Sequence, residues 1–192
     1  RRRKNRTGKH GFPSDVIMMI IVVKVGGSIL KGETSPDLVS DIKNLLSENR
    51  IILVHGGGKE VTEIASKLGK EQKIVVSPNG FSSRYTDRET VEIFMMVMAG
   101  KINKQIVSAL QSQGVPVVGL SGLDGLLVRA KRKKRLVIVD ERGRKRVVDG
   151  GYTGKISEIN THLLRLLMEN GYVSVVAPVA TGEEFEPLNV DG

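Results

Sequence analysis

The chain of 192 residues has no cysteine and no tryptophan, only 4% aromatic residues, and three histidines. The missing cysteine excludes disulfides and thiolate metal sites and suits a reducing compartment, so a cytoplasmic location is expected. So few histidines argue against a His-rich metal centre, and no metal site built by the protein itself is expected. Scarce aromatics leave little for base stacking. No uncharged apolar run reaches ~18 residues, so no membrane span is expected, and no secretory signal pattern is present. With 40% hydrophobic and 27% charged residues, the chain suffices for one core of ordinary size.

What is present is positive charge, and it is local. The formal net charge is +9. Residues 1–17 hold six Lys/Arg against Asp15 and show no apolar periodicity. They read as a disordered basic tail or an artefact of upstream translation, with the natural start at Met18 or Met19. Residues 129–146 hold ten Lys/Arg against Asp140 and Glu141. The rest of the chain is net acidic, so basicity belongs to two segments and not to the whole surface. The closing PLNVDG ends on no helix or strand, and a fragment is expected.

Residues 19–25 (MIIVVKV) and 51–54 (IILV) are apolar runs of the kind that form buried parallel strands. Ser35-Pro36 offers an N-cap and a first-turn proline, which predicts a helix to about Asn49. A second helix follows His55-Gly56-Gly57-Gly58, with Val61, Ile64, Ala65 and Leu68 on one face. Thr86-Asp87-Arg88-Glu89 matches a capping box. The long helix behind it spaces Val91, Phe94, Met95, Met98, Ile102 and Ile106 helically, and its methionines read as core. Residues 115–120 and 173–177 read as strands and 163–168 as a helix. Residues 126–130 and 135–140 are expected to pair as antiparallel strands around a basic turn, with 146–148 pairing after a second turn at 141–144. This alternation predicts a three-layer α/β/α sandwich with a mainly parallel sheet and a protruding basic β-hairpin.

Two glycine clusters directly follow predicted strands: Lys24-Val25-Gly26-Gly27-Ser28 and His55-Gly56-Gly57-Gly58. Strand ends on one edge of such a sheet converge on a crevice. Glycines let backbone N–H groups approach an anion, and a following helix start adds a favourable dipole. Either cluster alone is as readily an ordinary tight turn. The pair, with Lys24 in an otherwise apolar strand where an unpartnered charge would be costly, turns the reading toward phosphate chemistry through Gly26, Gly27 and Gly56. Gly150-Gly151-Tyr152-Thr153-Gly154-Lys155-Ile156 is not a P-loop, since its glycine spacing is wrong and Ile stands where Ser or Thr binds magnesium. It reads as a turn and hinge. Arg84, in a Ser-rich loop before a capped helix, is either a solvated charge or a bidentate partner for a carboxylate. His55 reads as a local hydrogen-bonding residue and not as a base.

The motifs KVGGSIL, LVHGGGKEV, SPNGFSSRYTDRE, GLSGLDG, KRKKRLVIVDERGRKRVVDGGYTGKI and PLNVDG, spread over residues 19–192, resemble the LysW-aminoadipate/LysW-glutamate kinases. These are amino-acid kinases of the carbamate kinase-like fold, near to N-acetylglutamate kinase. The stretch VDERGRKRVVDGGYTGKI is specific to this subgroup, while KxGGS and HGGG mark the wider family. The resemblance implies ATP with Mg2+ as cofactors, and phosphorylation of a side-chain carboxylate on an amino acid held by the acidic carrier LysW, for lysine or arginine biosynthesis. It implies that Lys24 stabilises charge on the transferring phosphoryl group, that Gly57 and Gly58 bind substrate through their N–H groups, that Arg84 grips a substrate carboxylate, and that Asn189 binds near the reacting end. It implies a homodimer. It also makes residues 18–192 an N-terminal substrate-binding domain, with an orienting Asp, a second catalytic Lys and the ATP-binding half beyond Gly192.

A carboxylate acceptor is already ionised, so the reaction needs no general base, only positive charge and oriented donors. For the basic run at Arg129–Arg135, with six Lys/Arg in seven residues, the plainest reading is a solvated hairpin tip. The functional reading is docking of the carrier through Lys131, Arg132, Lys133 and Lys134. Rival readings are an N-acetylglutamate kinase acting on a free small molecule, a regulatory subunit, and an RNA-binding module. The absence of aromatic residues from 129–146 argues against the last.

Overall fold

A computed structural model describes residues 18–27, 35–80 and 82–192. The expected tail of residues 1–17 and Ser28 of the first glycine motif lie outside the described residues. In chain order the elements are β1 (Met19–Val25), α1 (Pro36–Leu45), β2 (Asn49–His55), α2 (Gly58–Lys67), β3 (Ile74–Val76), β4 (Ser82–Arg84), α3 (Arg88–Met95), α4 (Asn103–Ser112), β5 (Val117–Ser121), β6 (Val128–Arg132), β7 (Arg135–Val139), β8 (Lys145–Asp149), β9 (Gly154–Ile159), α5 (Thr161–Glu169), β10 (Val173–Ala177), β11 (Val179–Thr181) and β12 (Pro187–Asn189).

The central sheet runs β1-β2-β10-β5 and is parallel throughout. Alternation along its strands divides the core. Ile51 and Leu53 of β2, with Val173 and Val175 of β10, face α1–α4. Ile52 and Val176 face the other way, toward Met168, Leu163 and Leu164 of α5. Each fully buried Leu or Ile here contributes roughly 1.5–3 kcal/mol. The three-layer arrangement expected from the sequence is therefore present, with a parallel central sheet. Two further sheets, β12-β11-β6-β9 and β4-β3-β7-β8, are built mostly of antiparallel pairs.

α3 and α4 form one continuous helix through a π-helical segment, Met96–Ile102. Residues 88–112 are long and apolar enough to cross a membrane by length and composition alone. Yet Phe94, Val97, Met98, Ile102, Ile106 and Leu110 pack in the core. The wider π turn rotates the buried face, so that Ile102 and its neighbour Asn103 both point inward.

Several expectations need correction. β6 and β7 do not pair with each other: β6 pairs with β9 and β11, and β7 with β8 and β3. The chain crosses between sheets at Lys133–Lys134, where Lys133 N–H donates to Thr153 O and Gly150 N–H to Lys134 O. A Cβ on Gly150 would run into the Lys133 carbonyl, so this crossing requires glycine. The hairpin that does form joins β7 to β8, as the turn at 141–144 predicts. Its turn is held by Asp140, whose carboxylate accepts from the Arg142 and Arg144 amides at 3.0 and 2.9 Å. β1 is an edge strand and largely exposed, Val22 at 63%, because no described residue covers its second face. Thr86 does not cap α3. Asp87 does, accepting from Thr90 N–H at 2.8 Å, while Glu89 pairs with Lys70. α1 stops at Leu45, and Gly154-Lys155-Ile156 lies in β9 and not in a turn.

Candidate functional site

β1 and β2 end side by side, Val25 opposite His55. Gly56 N–H donates to Val25 O at 2.8 Å and joins the two glycine loops. They approach so closely that a Cβ on Gly27 would lie 2.7 Å from Gly57 Cα. On its other side Gly57 rests on Met98 and Ile102 of the π-helical segment, and a Cβ there would strike the Ile102 side chain. No side chain can be added at either position without moving backbone or core.

α2 begins at Gly58 without a side-chain cap. The N–H groups of Gly57, Gly58 and Lys59 donate to no acceptor among the described residues. The positive end of the helix dipole points the same way. Gly57 and Gly58 line a cleft of about 450 Å³ whose wall also includes Lys24, Arg84, Lys133 and Asn189.

Of the site residues expected from sequence, Lys24, Gly56, Gly57, Gly58, Arg84 and Asn189 all line this one cleft. Gly27 backs it from behind Gly57, and Gly26 is exposed at the end of β1. Lys24 makes no ion pair or hydrogen bond with a described residue and is exposed, so the argument from a buried charge fails for it. Its position at the strand end does not depend on that argument.

Arg84 ends β4 and is half-buried. One guanidinium nitrogen lies 2.6 Å from both Gly58 O and Thr62 Oγ1. Its Nε is buried and has no hydrogen-bond partner among the described residues. Burial lowers its pKa, yet arginine stays cationic. A half-buried cation whose partners are neutral oxygens is under-compensated, and an incoming carboxylate would relieve that.

Asn189, at the end of β12, donates from Nδ2 to Thr86 Oγ1 at 3.1 Å and from its backbone to Tyr152 O at 2.8 Å. Thr86 is fully buried. Next to it, burial pushes the Asp87 carboxyl up, but hydrogen bonds from Lys70 and Thr90 outweigh this and hold it below the usual carboxylate range.

The four basic residues expected to dock a carrier are not equivalent. Lys131, Lys133 and Lys134 are exposed. Arg132 is committed to its own chain: Nε donates to Gly151 O at 2.6 Å, the guanidinium sits 4.4 Å from the Tyr152 ring centroid, and Asp149 lies 3.6 Å away. Lys133 is also among the residues that line the cleft. Sequence reasoning also missed Ser82, Ser83 and Thr153, which join the cleft wall. The turn residues Ser77-Pro78-Asn79-Gly80 before the serines were the signal that could have found them, since they lie between the paired strands β3 and β4. Among the described residues no cluster of three acidic or histidine side chains is placed to hold a metal ion.

The amino acid kinase family model matches residues 19–192. Proteins of Nitrosopumilus maritimus (strain SCM1) and Cenarchaeum symbiosum (strain A), both provisionally named LysW-aminoadipate/LysW-glutamate kinases, are 52% and 56% identical over 173 residues. A Saccharolobus solfataricus protein named LysW-aminoadipate/LysW-glutamate kinase is 45% identical over 174 residues. Each alignment covers 90% of this chain and 64% of the relative, so the chain spans just under two thirds of these relatives. The fold is shared with smu.665 from Streptococcus mutans UA159 at a TM-score of 0.71 and 22% identity, over 90% of this chain and 63% of that one. It is shared with N-acetylglutamate synthase from Neisseria gonorrhoeae at 0.66 and 23%, over 91% of this chain and 36% of that one.

Proposed function

The chain belongs to the amino acid kinase family, and on that premise we propose that its cleft receives an acidic amino acid and presents the side-chain carboxylate to the γ-phosphoryl group of ATP. The product is an acyl phosphate. The acceptor is 2-aminoadipate or glutamate carried on LysW, the substrate that the names of relatives at 45–56% identity specify. One observation carries the reading. A lysine, two glycines at a helix start and an arginine with a buried Nε meet in one cleft, and the ammonium, the two glycine N–H groups and the Nε have no hydrogen-bond partners among the described residues.

Roles follow from the chemistry. Two anions must be brought together, so the site needs cations and fixed dipoles more than it needs a base. Lys24 neutralises charge that grows on the transferring group. Gly57 and Gly58 donate to the acceptor at its reacting end, and Asn189 steadies that end. Arg84 grips the acceptor's other carboxylate. Magnesium would come bound to ATP and would supply charge that screens its phosphates. The nucleotide pocket is furnished by the part of the relatives' length that this chain does not span. A cytoplasmic homodimer with LysW as partner completes the proposal.

The test uses the full-length protein containing this chain. Acyl phosphate is trapped with hydroxylamine, using LysW-bound aminoadipate, LysW-bound glutamate and free N-acetylglutamate in turn. Turnover on a carrier-bound acid is expected, lowered on the order of 100-fold by Lys24→Ala with acceptor affinity little changed. Turnover of free N-acetylglutamate alone would overturn the carrier assignment, and unchanged turnover in Lys24→Ala would remove Lys24 from the mechanism.

A further inference from the structure

His55 is the last residue of β2, and only 1% of it is exposed. Its Nδ1 lies 3.1 Å from the carbonyl oxygen of Gly56, and its Nε2 lies 3.3 Å from Asn103 Nδ2. Asn103, also fully buried, donates from the same nitrogen to Val175 O at 2.9 Å and Leu120 O at 3.3 Å. Its Oδ1 accepts from Lys104 Nζ at 3.0 Å. Two carbonyls on one side and an ammonium on the other fix the orientation of the Asn103 amide.

That orientation fixes the histidine. A carbonyl only accepts, so Nδ1 carries the hydrogen and donates to Gly56. The Asn103 NH₂ shares its two hydrogens among Val175 O, Leu120 O and Nε2 and cannot accept, so Nε2 keeps its lone pair. The ring is neutral in this arrangement. Burial lowers its pKa and Lys104 adds to this, against an opposing effect of the Gly56 bond.

The consequence falls on the next peptide. The Gly56 carbonyl and the Gly57 N–H belong to one planar trans unit and point in opposite directions. With the carbonyl drawn to the buried imidazole, the Gly57 N–H turns away from it, on the residue that lines the cleft. Three successive glycines have wide conformational freedom. Gly27 and the Ile102 side chain limit where Gly57 can sit, and among the described residues the His55 bond is the hydrogen bond that sets the roll of this peptide. The π-helical segment contributes to the same device, because its extra residue brings Asn103 inward one step after Ile102.

We propose that His55, held as the Nδ1–H tautomer by Asn103, is a positioning residue that sets the Gly56–Gly57 peptide and aims the Gly57 N–H at the anion in the cleft. The inference rests on the kinase reading only for the identity of that anion.

Two measurements on the full-length protein test it. Imidazole ¹⁵N spectra of the parent at about pH 8 are expected to show His55 Nδ1 protonated and Nε2 unprotonated. An Nε2–H or doubly protonated ring overturns the proposal, whatever reaction the protein catalyses. In kinetics, His55→Leu is expected to lower kcat about 10- to 100-fold with KM for ATP nearly constant, less than deleting a donor outright. His55→Asn, whose Nδ2 can replace Nδ1 as donor, is expected to recover most of the loss. A His55→Leu variant with full kcat, or a folded His55→Asn variant no better than His55→Leu, also overturns it. A parent without turnover speaks against the kinase reading alone and leaves the spectra to decide.

Discussion

The side-chain amide of Asn189 donates to the hydroxyl of Thr86 at 3.1 Å, across 103 residues of sequence. Thr86 stands two residues after Arg84 and one before the helix cap Asp87, and its carbonyl accepts from Tyr152 N–H at 2.7 Å. Tyr152 O in turn accepts from Asn189 N–H. This closed set of bonds makes one block of two side chains that the proposal assigns to the acceptor.

Thr86→Val keeps the shape and removes the acceptor of the Asn189 bond. A half-buried amide left short of a partner costs at most about 1–3 kcal/mol, the figure for a buried one. The expected result is a lower Tm and several-fold weaker acceptor binding by calorimetry, with ATP binding unchanged. Acceptor binding equal to the parent's would separate Asn189 from the acceptor site.

Arg84→Ala is expected to act on the acceptor side alone. Removing one partner of a desolvated charge pair costs about 2–5 kcal/mol in binding, so acceptor affinity should fall on the order of 100-fold. Titration of each ligand separately checks this. A large loss of ATP affinity with normal acceptor binding would assign Arg84 to the other side of the cleft.

The sequence pattern showed why these residues gather. Glycines directly after apolar strands mark the edge where parallel strands end, and Lys24, Gly57 and Gly58 could be found that way. Arg84 was visible only as a cation ahead of a helix start, because the β3–β4 hairpin that aims it rests on three-residue strands. Asn103 left no signal at all. It looks like one polar residue on a long apolar helix, and its partners His55, Leu120 and Val175 are remote in sequence. The β6–β7 pairing was misread because two β-prone runs flanking a basic turn resemble a hairpin. Gly150, remote from that turn, sends them to different sheets.

Stability is expected to depend on pH through His55. Its folded pKa is lowered from the ordinary value of 6.5, chiefly by burial. The unfolded chain therefore takes up a proton at a higher pH than the folded one. By linkage, the contribution is fully present above about pH 6.5 and is lost as pH falls from there through the folded value. Denaturant unfolding at pH 7.5 and pH 5.5 should show the parent losing stability, while His55→Asn loses less. Equal pH dependence in both would place the titrating group elsewhere.

The basic segment yields a prediction sharper than its composition allowed. Arg132 is bonded to Gly151 and stacked on Tyr152, so Arg132→Ala should lower Tm by loosening the crossing between sheets. Lys133 lines the cleft, and its loss would mix chemistry with docking. Lys131 and Lys134 are exposed, and the side chain of neither is paired with a described residue. Reversing these two to Glu should leave the fold intact and turn attraction into repulsion for an acidic carrier. The loss should appear in association with LysW, roughly tenfold or more at low salt, and shrink as salt screens the surface. Activity on a free N-acylated amino acid should barely change, since a small acceptor meets only the cleft. RNA affinity lost while carrier activity stays whole would favour the nucleic-acid reading instead. If the double reversal matches the parent on the carrier-bound substrate at low salt, docking does not run through this segment. The kinase assignment, which rests on Lys24, the glycine loops and Arg84, would stand without it.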